Sequence, residues 1–117
     1  ELDYLTGAAI IIKKSALDKV GLLGEQYFMY FEETDLCWRL KKAGFKLLAI
    51  GTQPVMHVYG GSFRSRLDLN RLKLFRESLE IFVRMNYNGM VRSAILFEIK
   101  LFSPLSESLK SLKAKKN

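Results

Sequence analysis

Several things are scarce in this chain of 117 residues, which has one cysteine, one histidine and two prolines. A lone Cys37 rules out an internal disulfide, and its place on an apolar helix face makes it a core residue of a cytoplasmic protein. The aspartates, Asp3, Asp18, Asp35 and Asp68, are too scattered for an Asp-x-Asp metal motif. No glycine-rich loop follows a strand, so nothing here cradles nucleotide phosphates. The apolar run around Ala94–Phe97 is broken by Glu98 and Lys100 and falls short of the roughly 20 residues a bilayer crossing needs. Neither a signal peptide nor an initiator methionine is visible, and the chain opens just ahead of a core strand. An excised fragment is therefore expected.

Charge is present but uneven. Residues 1–63 hold seven Lys/Arg and seven Asp/Glu, whereas residues 64–117 hold twelve and five, which accounts for the whole net charge of +7. The chain thus divides into a near-neutral part, 1–63, and a basic tail, 64–117. Hydrophobic residues make up 49% of the whole, enough for a modest core of marginal stability.

Within the first part, Leu5–Lys14 reads as small residues leading into a β-branched strand. Ser15 is placed to cap a short helix through Lys19, and Val20–Gly24 turns the chain. Leu36, Cys37, Leu40 and Ala43 recur at helical spacing, and Gly44 is placed to stop that helix. Strands follow at Phe45–Ile50 and Val55–Val58, the latter carrying His57 towards Gly60-Gly61-Ser62. In the tail, Leu72, Phe75, Leu79 and Phe82 form one helical stripe and Val91, Ile95, Ile99 and Phe102 another. Asn86–Gly89 should separate the two helices, and Ser103-Pro104 should end the second.

The densest chemistry lies at Glu32, Glu33 and Asp35, three carboxylates where an aromatic segment, Tyr27–Phe31, gives way to a helix. Acids in a first helical turn are stabilised by free N–H groups and the macrodipole, so a purely structural reading exists beside the catalytic one.

Order decides between them. Thr6-Gly7-Ala8, the strand ending in Lys13-Lys14, the Val20–Glu25 turn, Phe28, Tyr30, the acid-acid-x-Asp-Leu-Cys-x-Arg segment from Glu32 to Arg39, Lys42–Phe45, His57 and Gly61-Ser62 occur in one sequence. Together they resemble the C-terminal part of a family 2 glycosyltransferase, particularly the bacterial rhamnosyltransferase-like members. The resemblance implies an α/β fold, the acceptor-side part of a GT-A domain over 1–63, followed by an amphipathic helical tail. It implies an inverting transferase that moves a sugar from a nucleotide-sugar donor to a glycan or lipid-linked acceptor in cell-surface polysaccharide synthesis. Glu33 would be the base, Glu32 would orient the site, and Asp35 would hold the helix start or bind an acceptor hydroxyl. Thr6, Gly7 and Ala8 would line the sugar site, with Gly61 and Ser62 beside it. His57 would complete an Mg²⁺ or Mn²⁺ site and share a cleft wall with Glu33. Trp38 is either an acceptor platform or core, and its leucine-rich helix favours core. One imidazole holds such oxygen-seeking ions poorly. With the donor half absent, the fragment is expected to be apo and inactive alone, and its exposed edges make a homodimer an expectation too.

Three alternatives follow from the residues. The tail's helices, apolar on one face and basic on the other, suit an anionic membrane surface, which would place the protein on the inner face of the cell membrane, or else a helical hairpin packed on the first part, with packing favoured for residues 70–85 and membrane contact an equal alternative for 90–112. A basic module could also bind nucleic acid, but the cations are spread over several helices without a helix-turn-helix signature, which argues against it. Glu33 and Asp35 could be a hydrolase's pair, yet glycosidase carboxylates face each other across a cleft rather than adjoining on one segment.

Overall fold

The computed structural model describes residues 1–51, 55–57 and 68–114, with side chains described for all of these except 68–70 and 102–114. Four helices occur in them: α1 (Lys14–Val20), α2 (Glu32–Lys42), α3 (Asp68–Asn86) and α4 (Gly89–Ala114). The chain forms two compact units, Glu1–Leu67 and Asp68–Asn117, so the division lies a few residues after the charge boundary read at 63/64.

In the first unit, α1 begins at Lys14 rather than after a Ser15 cap. Lys13 is the extended residue before it, and no side chain caps the end. Lys13's carbonyl instead accepts from the N–H groups of Ala16 and Leu17. Gly21, at φ 84°, ends α1 by donating to the Leu17 carbonyl at 2.7 Å.

Helix α2 carries acids in its first turn and Arg39, Lys41 and Lys42 in its last, so its charges oppose the macrodipole at both ends. It stops as the sequence implied. Gly44 takes φ 87°, its N–H donates to Lys41, and the Phe45 N–H reaches back to the Leu40 carbonyl at 3.0 Å. This is the paired hydrogen bonding of a Schellman end, in which a left-handed glycine is favoured. The core lies below: Ala16, Leu36, Cys37, Leu40 and Leu47 are buried, with Leu5, Ile12, Leu17, Val20 and Phe45 packed around them.

The expected strands are largely unpaired. Among the described residues the one β-contact is an antiparallel bridge, Leu2 to Leu47, with Leu2 N–H donating to Leu47 O at 2.8 Å. Ile11, expected inside a buried strand, is 95% exposed, and Leu48 and Ile50 are exposed as well. A β-branched run becomes a strand only when a neighbour takes up its backbone groups, and no described segment does so. Of the second strand, residues 55–57 are described and exposed, while Val58 lies outside the described residues.

In the second unit, α3 and α4 pack against each other. Asn86 closes α3 and Gly89 opens α4, as the turn residues implied. Phe82 and Val83 are the buried apolar positions of α3, and the Phe82 ring meets Tyr87 edge-on at 6.2 Å. Two stripe members, Phe75 and Val91, are exposed. Ser103-Pro104 does not end α4, which continues to Ala114. Proline removes one N–H and crowds the preceding turn, at a cost of about 3 kcal/mol, and the leucines, lysines and alanine that follow carry helix propensity through it.

Candidate functional site

The backbone enters α2 through an unusual turn. Tyr30 and Phe31 both have positive φ, 68° and 70°, a region that costs a non-glycine residue about 1–2 kcal/mol each. Such strain persists where the surrounding structure imposes it, commonly at sites that hold a ligand. Its effect here is to deliver Glu32 and Glu33 directly into the first turn of α2.

Glu33 is met from the N-terminal segment on two sides. The Tyr4 hydroxyl donates to Glu33 Oε1 at 3.5 Å, a long hydrogen bond. Gly7 lies so close that a β-carbon there would stand 3.7 Å from the Glu33 carboxyl carbon. Burial, then the charge and hydrogen bond of Glu33, and more weakly Cys37 and Glu32, raise the Tyr4 phenol above its ordinary pKa. The second oxygens tell more. Oε2 of Glu33 and Oε2 of Glu32 are both buried and accept no hydrogen bond among the described residues. A buried acceptor without a donor costs about 1–3 kcal/mol, and groups left so are commonly satisfied by a ligand or water.

Asp35, three positions further on than Glu32, has a different environment. It is 2% exposed and ion-paired to Arg39 Nε at 2.8 Å. Tyr27 hydrogen-bonds it as well, and burial followed by the Asp35 charge pushes the Tyr27 phenol up to about 12. The rest of the Arg39 guanidinium donates to the carbonyls of Val20 and Leu22, the latter at 2.8 Å. Asp35 and Arg39 therefore fasten α2 to the loop after α1. The compact acid-acid-x-Asp-Leu-Cys-x-Arg segment thus sorts into two glutamates with buried, unpartnered oxygens, of which Glu33 lies beside the Gly7 turn, an i,i+4 ion pair holding the loop, and Leu36 and Cys37 in the core.

Thr6, Gly7 and Ala8 are exposed, with Gly7-Ala8 forming a turn beside Glu33. Trp38 is half-buried, with the Lys42 ammonium 5.2 Å from its ring centre, so it is neither wholly core nor an open platform. Gly61 and Ser62 lie outside the described residues. His57 is exposed, and among the described residues no three His, Cys, Asp or Glu side chains come together in a way that could hold a metal ion. The donor set present does not by itself fit Mg²⁺ or Mn²⁺, which seek several oxygens. Tyr4 and the Tyr30-Phe31 turn were not legible as site features: φ > 0 is a glycine and asparagine signature, and nothing in the spacing joins Tyr4 to Glu33 across 29 residues.

Comparison with known proteins adds direction. The chain is 30% identical over 97 residues to the N-acetylglucosaminyl-diphospho-decaprenol L-rhamnosyltransferase of Mycobacterium tuberculosis, found in two strains, covering 83% of this chain and 31% of that protein. It is 28% identical over 119 residues to the low-salt glycan biosynthesis hexosyltransferase Agl10 of Haloferax volcanii, covering 86% of this chain and 38% of that protein. These relatives are glycosyltransferases. The chain spans about a third of their length. No family model and no solved structure matches it.

Proposed function

We propose that the chain is the acceptor-side part of an inverting, family 2 glycosyltransferase of GT-A architecture that builds cell-surface glycan, with Glu33 as its general base. The observation that carries this is the Glu33 carboxylate itself: one oxygen is touched by Tyr4, the other is buried and accepts no hydrogen bond among the described residues, and the side chain lies beside the Gly7 turn. The similarity to rhamnosyl- and hexosyltransferases over more than four fifths of the chain supports the reaction class.

In that reaction the acceptor hydroxyl gives its proton to Glu33 as its oxygen attacks the sugar's anomeric carbon. The new C–O bond forms while the bond to the nucleoside diphosphate breaks, the leaving phosphate taking the electron pair. When bound, a divalent cation would supply charge neutralisation for that leaving group. In this reading His57 contributes to that site together with carboxylates that this sequence does not carry. Glu32 orients the acceptor through its own unpartnered oxygen. Asp35, fully engaged by Arg39 and Tyr27, is a positioning residue that fixes the start of α2. Thr6, Gly7 and Ala8 would contact the sugar through backbone, with Gly61 and Ser62 nearby, and Trp38 would flank the acceptor. The acceptor is a glycan or a lipid-linked sugar.

The test is kinetic. In the transferase that carries this sequence, Glu33→Gln should abolish transfer while sugar-nucleotide affinity stays nearly unchanged. Turnover comparable to wild type would refute the base assignment.

A further inference from the structure

We propose that the outer face of α4 is a docking surface for an anionic lipid bilayer, on which the helix lies flat among the headgroups. This stands independently of the transfer chemistry. On α4 the less exposed described side chains are Ile95, Leu96 and Ile99, which share one side of the helix. At 100° per residue, Met90, Ala94, Phe97 and Leu101 fall together on the opposite side. Their exposure is high: Met90 89%, Phe97 66% and Leu101 55%. Single exposed apolar residues are ordinary, but three large ones aligned at i, i+7 and i+11 form a stripe that water solvates poorly.

Charge selects the occupant. The segment 64–117 holds twelve of the nineteen Lys/Arg and five of the twelve Asp/Glu. Cations on α3 have acidic neighbours, Lys73 with Glu77 at 3.9 Å and Arg84 with Glu80 at 3.6 Å. On α4, Lys100 is exposed on one flank of the stripe and makes no ion pair among the described residues, Glu98 lies on the other flank, and Arg92 falls on the side of Ile95 and Ile99. A second copy seated on the stripe would bring two chains of net charge +7 together, whereas an anionic leaflet attracts each one. No described helix is long and apolar enough to cross a membrane, so the stripe's geometry is that of a helix in the interface plane.

The test uses the full 117-residue chain and co-flotation with vesicles of phosphatidylcholine, alone or mixed with phosphatidylglycerol. The chain should float with the mixed vesicles and bind them about tenfold or more tightly than neutral ones, with affinity falling as salt rises. Phe97→Asp should weaken that binding about tenfold or more, the scale of one phenyl ring withdrawn from water, without changing the circular dichroism spectrum. Lys100→Ala should weaken binding to the mixed vesicles alone and flatten the salt dependence. The proposal is overturned if the chain stays with the soluble fraction in mixed vesicles at physiological salt, or if Phe97→Asp binds as wild type does. It is equally overturned if the chain sediments as a dimer that Phe97→Asp dissociates and that vesicles do not displace.

Discussion

Replacing Arg39 with alanine removes more than a surface charge. Asp35 is 2% exposed, and its ion pair with Arg39 Nε is 2.8 Å long. The same guanidinium satisfies the Val20 and Leu22 carbonyls, so truncation leaves a buried carboxylate without its cation and two loop carbonyls without donors. Breaking a buried pair from one side costs about 3–5 kcal/mol. Because the Arg39 side chain is itself 26% exposed, water recovers part of this, and about 2–4 kcal/mol is expected. The exposed i,i+4 pair Lys14–Asp18 has the same 2.8 Å separation but side chains 87% and 61% exposed, so Lys14→Ala should cost less than about 1 kcal/mol. Arg39→Lys should fall close to Arg39→Ala, because one ammonium cannot span a carboxylate and two carbonyls at the guanidinium's geometry. Urea denaturation of the three variants, followed by circular dichroism at a fixed pH near 7, measures the differences directly. A loss for Arg39→Ala no larger than that for Lys14→Ala would refute the claim that this pair fastens α2 to its loop.

Three further outcomes are expected. Gly44→Ala should destabilise by about 1–2 kcal/mol in the same denaturation, since its φ of 87° suits glycine and open space around it offers no compensating contact. Tyr27 carries a raised phenol: above the ordinary 10.0 the unfolded chain loses this proton first, while the folded chain keeps it to about 12, so stability should fall as pH rises from 10 to 12. Tyr27→Phe should flatten that window in a melting series, and an unchanged slope would contradict a Tyr27 phenol raised by burial and, after it, by the Asp35 charge. Gly7→Val should leave melting nearly unaltered, because its β-carbon meets only ordinary contacts, yet depress turnover by crowding Glu33; normal turnover would count against the glycine turn as part of the site.

Helix α2 was readable because every signal on it agreed: acids first, Leu36, Cys37 and Leu40 at helical spacing, then Gly44. The Asp35–Arg39 pair was present in the spacing as an i,i+4 match, although its reach to Val20 and Leu22 depends on a loop no periodicity describes. Residues such as Ile10–Ile12 carry strand propensity, but propensity sets no pairing, and Leu47 alone of its segment found a partner. Pro104 was read as a stop because its local penalty is large, and the continuous helix shows neighbouring propensity outweighing it. The strained Tyr30-Phe31 turn left no trace in composition, since tertiary context rather than residue type imposes it. The Glu32-Glu33 pair was found from motif order, and what the structure adds is the asymmetry between these glutamates and Asp35.

The most direct test of the proposed function is a crystal structure of the protein that carries this chain with a glycosyl acceptor bound. The account predicts the reacting hydroxyl within about 2.6–3.2 Å of the Glu33 carboxylate and beside the Gly7 turn. A hydroxyl seated against Asp35 instead, or remote from Glu33, would contradict it.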